Sequence, residues 1–204
     1  MPMNNALLYL HGFNSSPASH KAQALLRYMR EHGLEQQLSL PEIKPYPAEA
    51  YQQLIAEYTA LKQRFDNVAI AGSSLGGFYA TVLAEHFGCR AVLINPAVKP
   101  HLLLQKYIGE NINYYNDVHW QLDPAHIEEL RLLDVETITS PERYWLMLQT
   151  GDETLDYRAA ADKYAACPAL IEQGGDHGFA GFERHIPQLL EFCDIIVPNK
   201  SHPH

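Results

Sequence analysis

Cysteine is scarce in this sequence. The three present, Cys89, Cys167 and Cys193, are odd in number and far apart. That argues against a disulfide framework and leaves no C-x-x-C pair for a structural metal. Each is read as a small buried hydrophobe. Positive charge is also in short supply: 15 Lys and Arg face 24 Asp and Glu, a formal net charge of −9. No basic stretch offers phosphates a landing site, which argues against a nucleic-acid partner. Long apolar runs are missing too, and none approaches the ~20 residues of a membrane-crossing helix. The N-terminus lacks a basic segment followed by an apolar stretch. The expectation is a cytoplasmic protein without a membrane partner. Internal repeats and low-complexity tracts are likewise missing.

What is there is apolar material in a regular rhythm. The chain has 204 residues, 47% of them hydrophobic, enough for one domain with a sizeable core. Short apolar runs at 6–10, 37–40, 68–71, 91–94, 144–148 and 169–171 read as strands. Helical spacing falls between them. Ala22, Leu25, Leu26 and Met29 form one such stripe, which Gly33 would end. Tyr51, Leu54, Ile55, Tyr58 and Leu61 form another, after an extended Pro45-Tyr46-Pro47 segment. Further helices are read at 157–165 and 182–192. Strands alternating with helices predict an α/β fold, a mainly parallel sheet of about six strands with helices on both faces.

One segment breaks the rhythm. Residues 99–140 contain no recognisable strand but carry Tyr107, Ile108, Tyr114, Tyr115 and Trp120. A long aromatic-rich insertion in a compact domain is read as a small helical cap over the site. The domain is placed at 1–198, with 199–204 a frayed tail.

The most informative stretch is Val68-Ala69-Ile70-Ala71-Gly72-Ser73-Ser74-Leu75-Gly76-Gly77. An apolar strand runs into G-x-S-x-G and then into the helical GFYATVLAEHF. That is the pattern of a nucleophile elbow, whose serine stands clear of the sheet. The frame selects Ser74 over Ser73. A serine needs a base, and the base needs an orienting acid. The chain order Ser, Asp, His is met by Asp152 after the fifth strand and by His177, in Gly-Gly-Asp-His-Gly, after the sixth. Asp156 competes with Asp152, which comes directly off its strand. Glu153 and Asp176 are read as solvated loop carboxylates. The oxyanion donors are expected from the backbone of Leu75 and of Phe13, with Asn14 a neighbour able to serve. His11 is read as a loop brace. The candidate acyl pocket draws on Phe78, Tyr107, Tyr115, Trp120 and Phe179. The acid–imidazole pairs Asp117/His119 and Asp123/His126, with His202/His204 in the tail, do not converge as a zinc site requires. No metal and no cofactor is expected.

Several blocks carry a family resemblance. Residues 8–17 (LYLHGFNSSP), 72–81 (GSSLGGFYAT), 95–100 (NPAVKP), 149–158 (QTGDETLDYR) and 174–183 (GGDHGFAGFE) resemble the YqiA-type bacterial esterases. The resemblance implies a compact α/β-hydrolase fold and esterase activity on short acyl esters, with acyl-CoA thioesters as further substrates. It also implies Ser74 as nucleophile, Asp152 as acid and His177 as base. The partner expected is thus a small-molecule ester or thioester. Activity is expected to rise with pH through about 6–7, the ordinary histidine range. The competing readings are a thioesterase or acyltransferase on the same triad, a catalytically inactive interaction protein, and a lyase reusing the triad.

Overall fold

A computed structural model of the protein describes residues 4–113 and 115–198. The strands in chain order are β1 (Asn5–Leu10), β2 (Leu38–Ser39), β3 (Asn67–Ser73), β4 (Ala91–Ile94), β5 (Gly109–Asn113), β6 (Val118–Leu122), β7 (Tyr144–Gln149) and β8 (Ala169–Glu172). Six of them form one sheet in the order β2-β1-β3-β4-β7-β8, every neighbouring pair parallel. The helices are α1 (His20–Glu31), α2 (Pro47–Lys62), α3 (Leu75–Phe87), α4 (Pro100–Leu103), α5 (Pro124–Leu133), α6 (Tyr157–Lys163) and α7 (Ile186–Phe192). This is the α/β architecture expected from the alternating pattern.

The strands are apolar on both sides because both faces of the sheet are covered. Ala6, Leu8 and Leu10 of β1 join Val68, Ile70, Leu93, Leu146 and Leu148 in a core with α2, α3, α5 and α6. Their sequence neighbours Leu7, Tyr9, Ala69, Ala71, Val92 and Met147 point the other way, into a core with α1 and α7. Helix α3 lies deep in the first core, with Gly76 through Ala84 all buried. The strand order reverses beside β1, since the chain moves outward to β2 and returns to β3. Loops leaving adjacent strands on either side of such a reversal diverge and open a crevice beyond their carboxyl ends.

Two boundaries differ from the periodicity. Pro47 is the first residue of α2, where its missing N–H would be unpaired anyway, so the helix starts inside the proline segment. The closing helix begins as a 3₁₀ turn (Phe182–His185) and becomes α7 only at Ile186-Pro187. A proline within the first turn can start a helix but cannot continue one.

The larger correction concerns residues 99–140. The expected helical cap holds helices α4 and α5, but between them lies an antiparallel hairpin, β5 paired with β6. Val118, Trp120 and Leu122 alternate with polar residues, and Trp120 and Leu122 are the buried pair. This period of two is a strand signal. The hairpin is fastened to the loop after β1: Trp120 Nε1 donates to Asn14 Oδ1 at 2.9 Å, and Asn113 Nδ2 to the Ser15 carbonyl at 2.9 Å. The tail at 199–204 and Tyr114 lie outside the described residues.

Candidate active site

Ser74 sits between the end of β3 and the start of α3 with φ 56° and ψ −121°. Positive φ at a residue other than glycine costs about 1–3 kcal/mol and persists only where the surroundings enforce it. Here they do. The Ser74 N–H donates to the Ile94 carbonyl at 3.1 Å, and its own carbonyl accepts from Gly77 at 2.9 Å and from Ala97 at 3.0 Å. The flanking glycines are required by contact. A Cβ on Gly72 would lie 2.1 Å from the Gly76 carbonyl oxygen, and one on Gly76 would lie 2.1 Å from that of Leu10. One on Gly77 would come within 2.7 Å of Pro96 Cβ. Backbone packs on backbone here. Ser73 is buried, its hydroxyl toward the Tyr9 phenol, while Ser74 is half-buried and lines a cavity.

His177 and Asp152 meet across the ends of β7 and β8. His177 Nδ1 lies 2.8 Å from Asp152 Oδ2. The other carboxylate oxygen accepts the N–H groups of Thr154 at 2.9 Å and Leu155 at 2.8 Å. Burial works to raise the Asp152 pKa, but the His177 hydrogen bond and these two amides outweigh it and hold it below the ordinary value. An ionised Asp152 accepts only, so Nδ1 carries the proton. Asp156, the competing carboxylate, instead caps α6 by accepting the Arg158 N–H at 3.0 Å.

The loop that carries His177 is held from below by residues the sequence pattern did not single out. Asn95, buried and at φ 40°, donates through Nδ2 to the carbonyls of Asp176 (3.1 Å) and His177 (3.2 Å). Its Oδ1 accepts the Gln149 N–H at 3.0 Å. Gln149 Oε1 accepts the N–H groups of Asp176 (3.0 Å) and Ala180 (2.8 Å), while its Nε2 donates to Ala180 and Glu172. Glu153, expected to be merely solvated, accepts the His177 N–H at 2.9 Å. Lys21 of α1 donates to the Gly178 carbonyl at 2.8 Å. The position of Asn95 in Asn-Pro-Ala, directly after an apolar strand, was the available signal.

On the other side of Ser74 the chain leaves β1 through His11, Gly12 and Phe13. His11 is buried. Its Nε2 accepts the Ile43 N–H at 3.0 Å, which leaves the proton on Nδ1 for the Gly12 carbonyl at 3.0 Å. Burial pushes its pKa down, against weaker opposing effects of Gly12 and Glu42. It braces the loop. Phe13 packs its ring on Tyr107 and Trp120 at centroid distances of 5.4 and 5.6 Å. Leu75 opens α3, where the first N–H groups have no partner within the helix.

Ser74, His177, Phe13 and Leu75 all line one cavity of about 230 Å³, together with Ala97, Leu103, Leu104, Tyr107, Thr154 and Leu155. Among the described residues Ser74 Oγ has no hydrogen-bond partner. Of the aromatics expected to form an acyl pocket, Tyr107 lines this cavity and Trp120 an adjoining one. Tyr115 is exposed beside a separate depression formed with Ser15, Lys21 and Asp176. Phe78 and Phe179 need correcting. Each is buried in a core, on opposite faces of the sheet, and neither lines the Ser74 cavity. Nearness in sequence to Ser74 and His177 does not set which way a ring points.

The acid–imidazole pairs have local roles. Asp123 and His126 form a capping box at the start of α5, and His119 pairs with Glu110 across the hairpin at 3.0 Å. His202 and His204 lie outside the described residues.

Residues 6–194 match the family model UPF0227, an uncharacterised protein family. The chain belongs to UPF0227. Members from Shewanella oneidensis and Serratia proteamaculans are 24% and 26% identical over 191 and 196 residues. Those alignments cover 91% of this chain and 98% and 97% of the two relatives. The family is thus the one the sequence blocks pointed to. Among solved structures, the esterase domain of a Rhodothermus marinus protein is similar with a TM-score of 0.67 at 18% identity, covering 97% of this chain and 89% of that one. Est1E from Butyrivibrio proteoclasticus gives 0.65 at 14% identity, covering 95% and 87%. At such identities the likeness concerns the fold alone, and the fold it shows for this UPF0227 member is that of the α/β hydrolases.

Proposed function

We propose that this UPF0227 protein is a cytoplasmic serine esterase acting on short-chain acyl esters. The observation that carries the reading is the 2.8 Å contact of His177 Nδ1 with the buried carboxylate of Asp152, His177 sharing a cavity with Ser74. His177 Nε2 takes the Ser74 proton as Oγ attacks the ester carbonyl. Asp152 holds the imidazole tautomer and stabilises its cation. The backbone N–H groups of Leu75 and Phe13 hold the oxyanion, each worth about 10²–10³ in rate. Collapse expels the alcohol, which leaves with the proton from His177, and the acyl group stays on Ser74. His177 then takes a proton from water, whose attack releases the acid and restores the serine. In enzymes without substrate the serine–histidine hydrogen bond is often long and tightens only in the complex. The solved structures named as esterases support this reading at the level of the fold.

The test is a fluorophosphonate probe together with Ser74→Ala. The wild type is expected to be modified at Ser74 alone, and the variant to lose at least ~10³-fold in ester turnover with its fold retained. Unchanged turnover in the variant ends the proposal. Comparing CoA thioesters with oxyesters of equal chain length separates an esterase from a thioesterase on the same residues.

A further inference from the structure

A second cavity, also of about 230 Å³, adjoins the first, and Phe13 and Leu75 line both. It lies between the loop after β1, residues 42–45 and the β5–β6 hairpin. Neither Ser74 nor His177 lines it. Gly12 in its wall nevertheless lies so close to the serine that a methyl there would be 3.2 Å from Ser74 Cβ and 3.7 Å from Oγ.

Several of the polar groups around this cavity are already engaged with the protein. Both His11 nitrogens are bonded, and Asn14 Oδ1 accepts from Trp120. The amides of Asn113 and Asn116 each donate and accept within the hairpin and its neighbours. Lys44 Nζ pairs with Glu49. Most of the surface left for a ligand is apolar, from Phe13, Ile43, Pro45, Leu75, Val118 and Trp120.

We propose that this second cavity is the acyl subsite, and that the Ser74–His177 cavity receives the leaving alcohol. The assignment rests on the esterase reading. A carbonyl carbon under attack has three other substituents to place. The oxygen goes to the Leu75 and Phe13 amides, on the partition between the cavities. The alcohol oxygen must receive its proton from His177, which lines only the first cavity. The acyl chain is left the other side of the partition, past Gly12. The substrate class that fits is an ester of a short apolar acid, since ~300–1,000 Å³ is the range that encloses a drug-sized ligand.

Val118 and Leu103 allow a test, because both are exposed and each lines one cavity only. The full chain and the variants Val118→Trp and Leu103→Trp are assayed on two ester series, one varying the acyl chain and one the alcohol. Deacylation is followed separately by pre-steady-state kinetics. Val118→Trp is expected to lower kcat/KM for the longest accepted acyl chain about tenfold or more relative to acetyl, with the alcohol series unchanged. It should also slow deacylation of that chain. Leu103→Trp should shift the alcohol series and leave deacylation alone, because the alcohol has already departed. The milder Val118→Phe and Leu103→Phe repeat the test if either tryptophan impairs folding. The reverse pattern, or an acyl series that Val118 substitution does not move, overturns the assignment alone. No acyl-enzyme on wild-type Ser74 overturns the esterase reading, and the subsites fall with it.

Discussion

The parallel sheet and the 99–140 segment solve the same problem in opposite ways. In the sheet, apolar residues of β1, β3, β4 and β7 are almost entirely buried between two helical layers. In the segment, Leu102, Leu103, Tyr107, Ile108, Tyr115, Val118 and Leu132 stay exposed, while the rest of the described chain adds only Ile171 and Ile196. The sheet fixes positions, and the covering segment presents apolar surface beside the site. A rigid frame and a wall beside a cavity place different demands on the same kinds of residue.

That contrast is sharpest in leucines. Leu8, fully buried in β1, should cost about 2–5 kcal/mol when replaced by alanine. Leu132, 70% exposed on α5, should change stability by no more than about 0.5 kcal/mol on the same replacement. Denaturant midpoints compare them directly, and equal losses would erase the distinction.

A second comparison lies inside the frame. Asn95→Ala takes the partner from the Gln149 N–H and the His177 carbonyl, and one of two donors from the Asp176 carbonyl, a cost of about 1–3 kcal/mol. If Asn95 acts by positioning His177, ester turnover should fall mainly through kcat, with KM little changed. A loss confined to KM would place its role elsewhere.

The smallest effect concerns acid. Hydrogen bonds from Arg184 and Gln149 hold the Glu172 carboxyl down at about 2, from an ordinary 4.5. A carboxylate lowered on folding adds stability that is complete above its ordinary value and is lost as pH falls toward the folded value. Glu172→Gln should therefore be modestly less stable than wild type at pH ~6, with the gap narrowing between about 4.5 and 2. Urea midpoints across that range check it, and a gap independent of pH contradicts the charge-based cause.

Much of the frame was legible in the sequence because buried parallel strands read as continuous apolar runs, and the elbow needs glycine at fixed offsets. Asp152 and His177 were legible as residues leaving consecutive strands. Asn95 and Gln149 were not, since their partners lie 23 to 82 residues away and neither type announces a bracing role. The hairpin was hidden by brevity. Five residues at period two, set among aromatics that suit a helix equally well, do not decide between the two. Phe78 and Phe179 were misplaced because composition near a motif carries no information about facing.

At Gly72 and Gly76, main-chain atoms of β1, β3 and α3 touch with no side chain between them. The address of the Ser74 hydroxyl is therefore written in the backbone alone. Rebuilding the walls around it changes which molecules it meets while leaving it standing where it is.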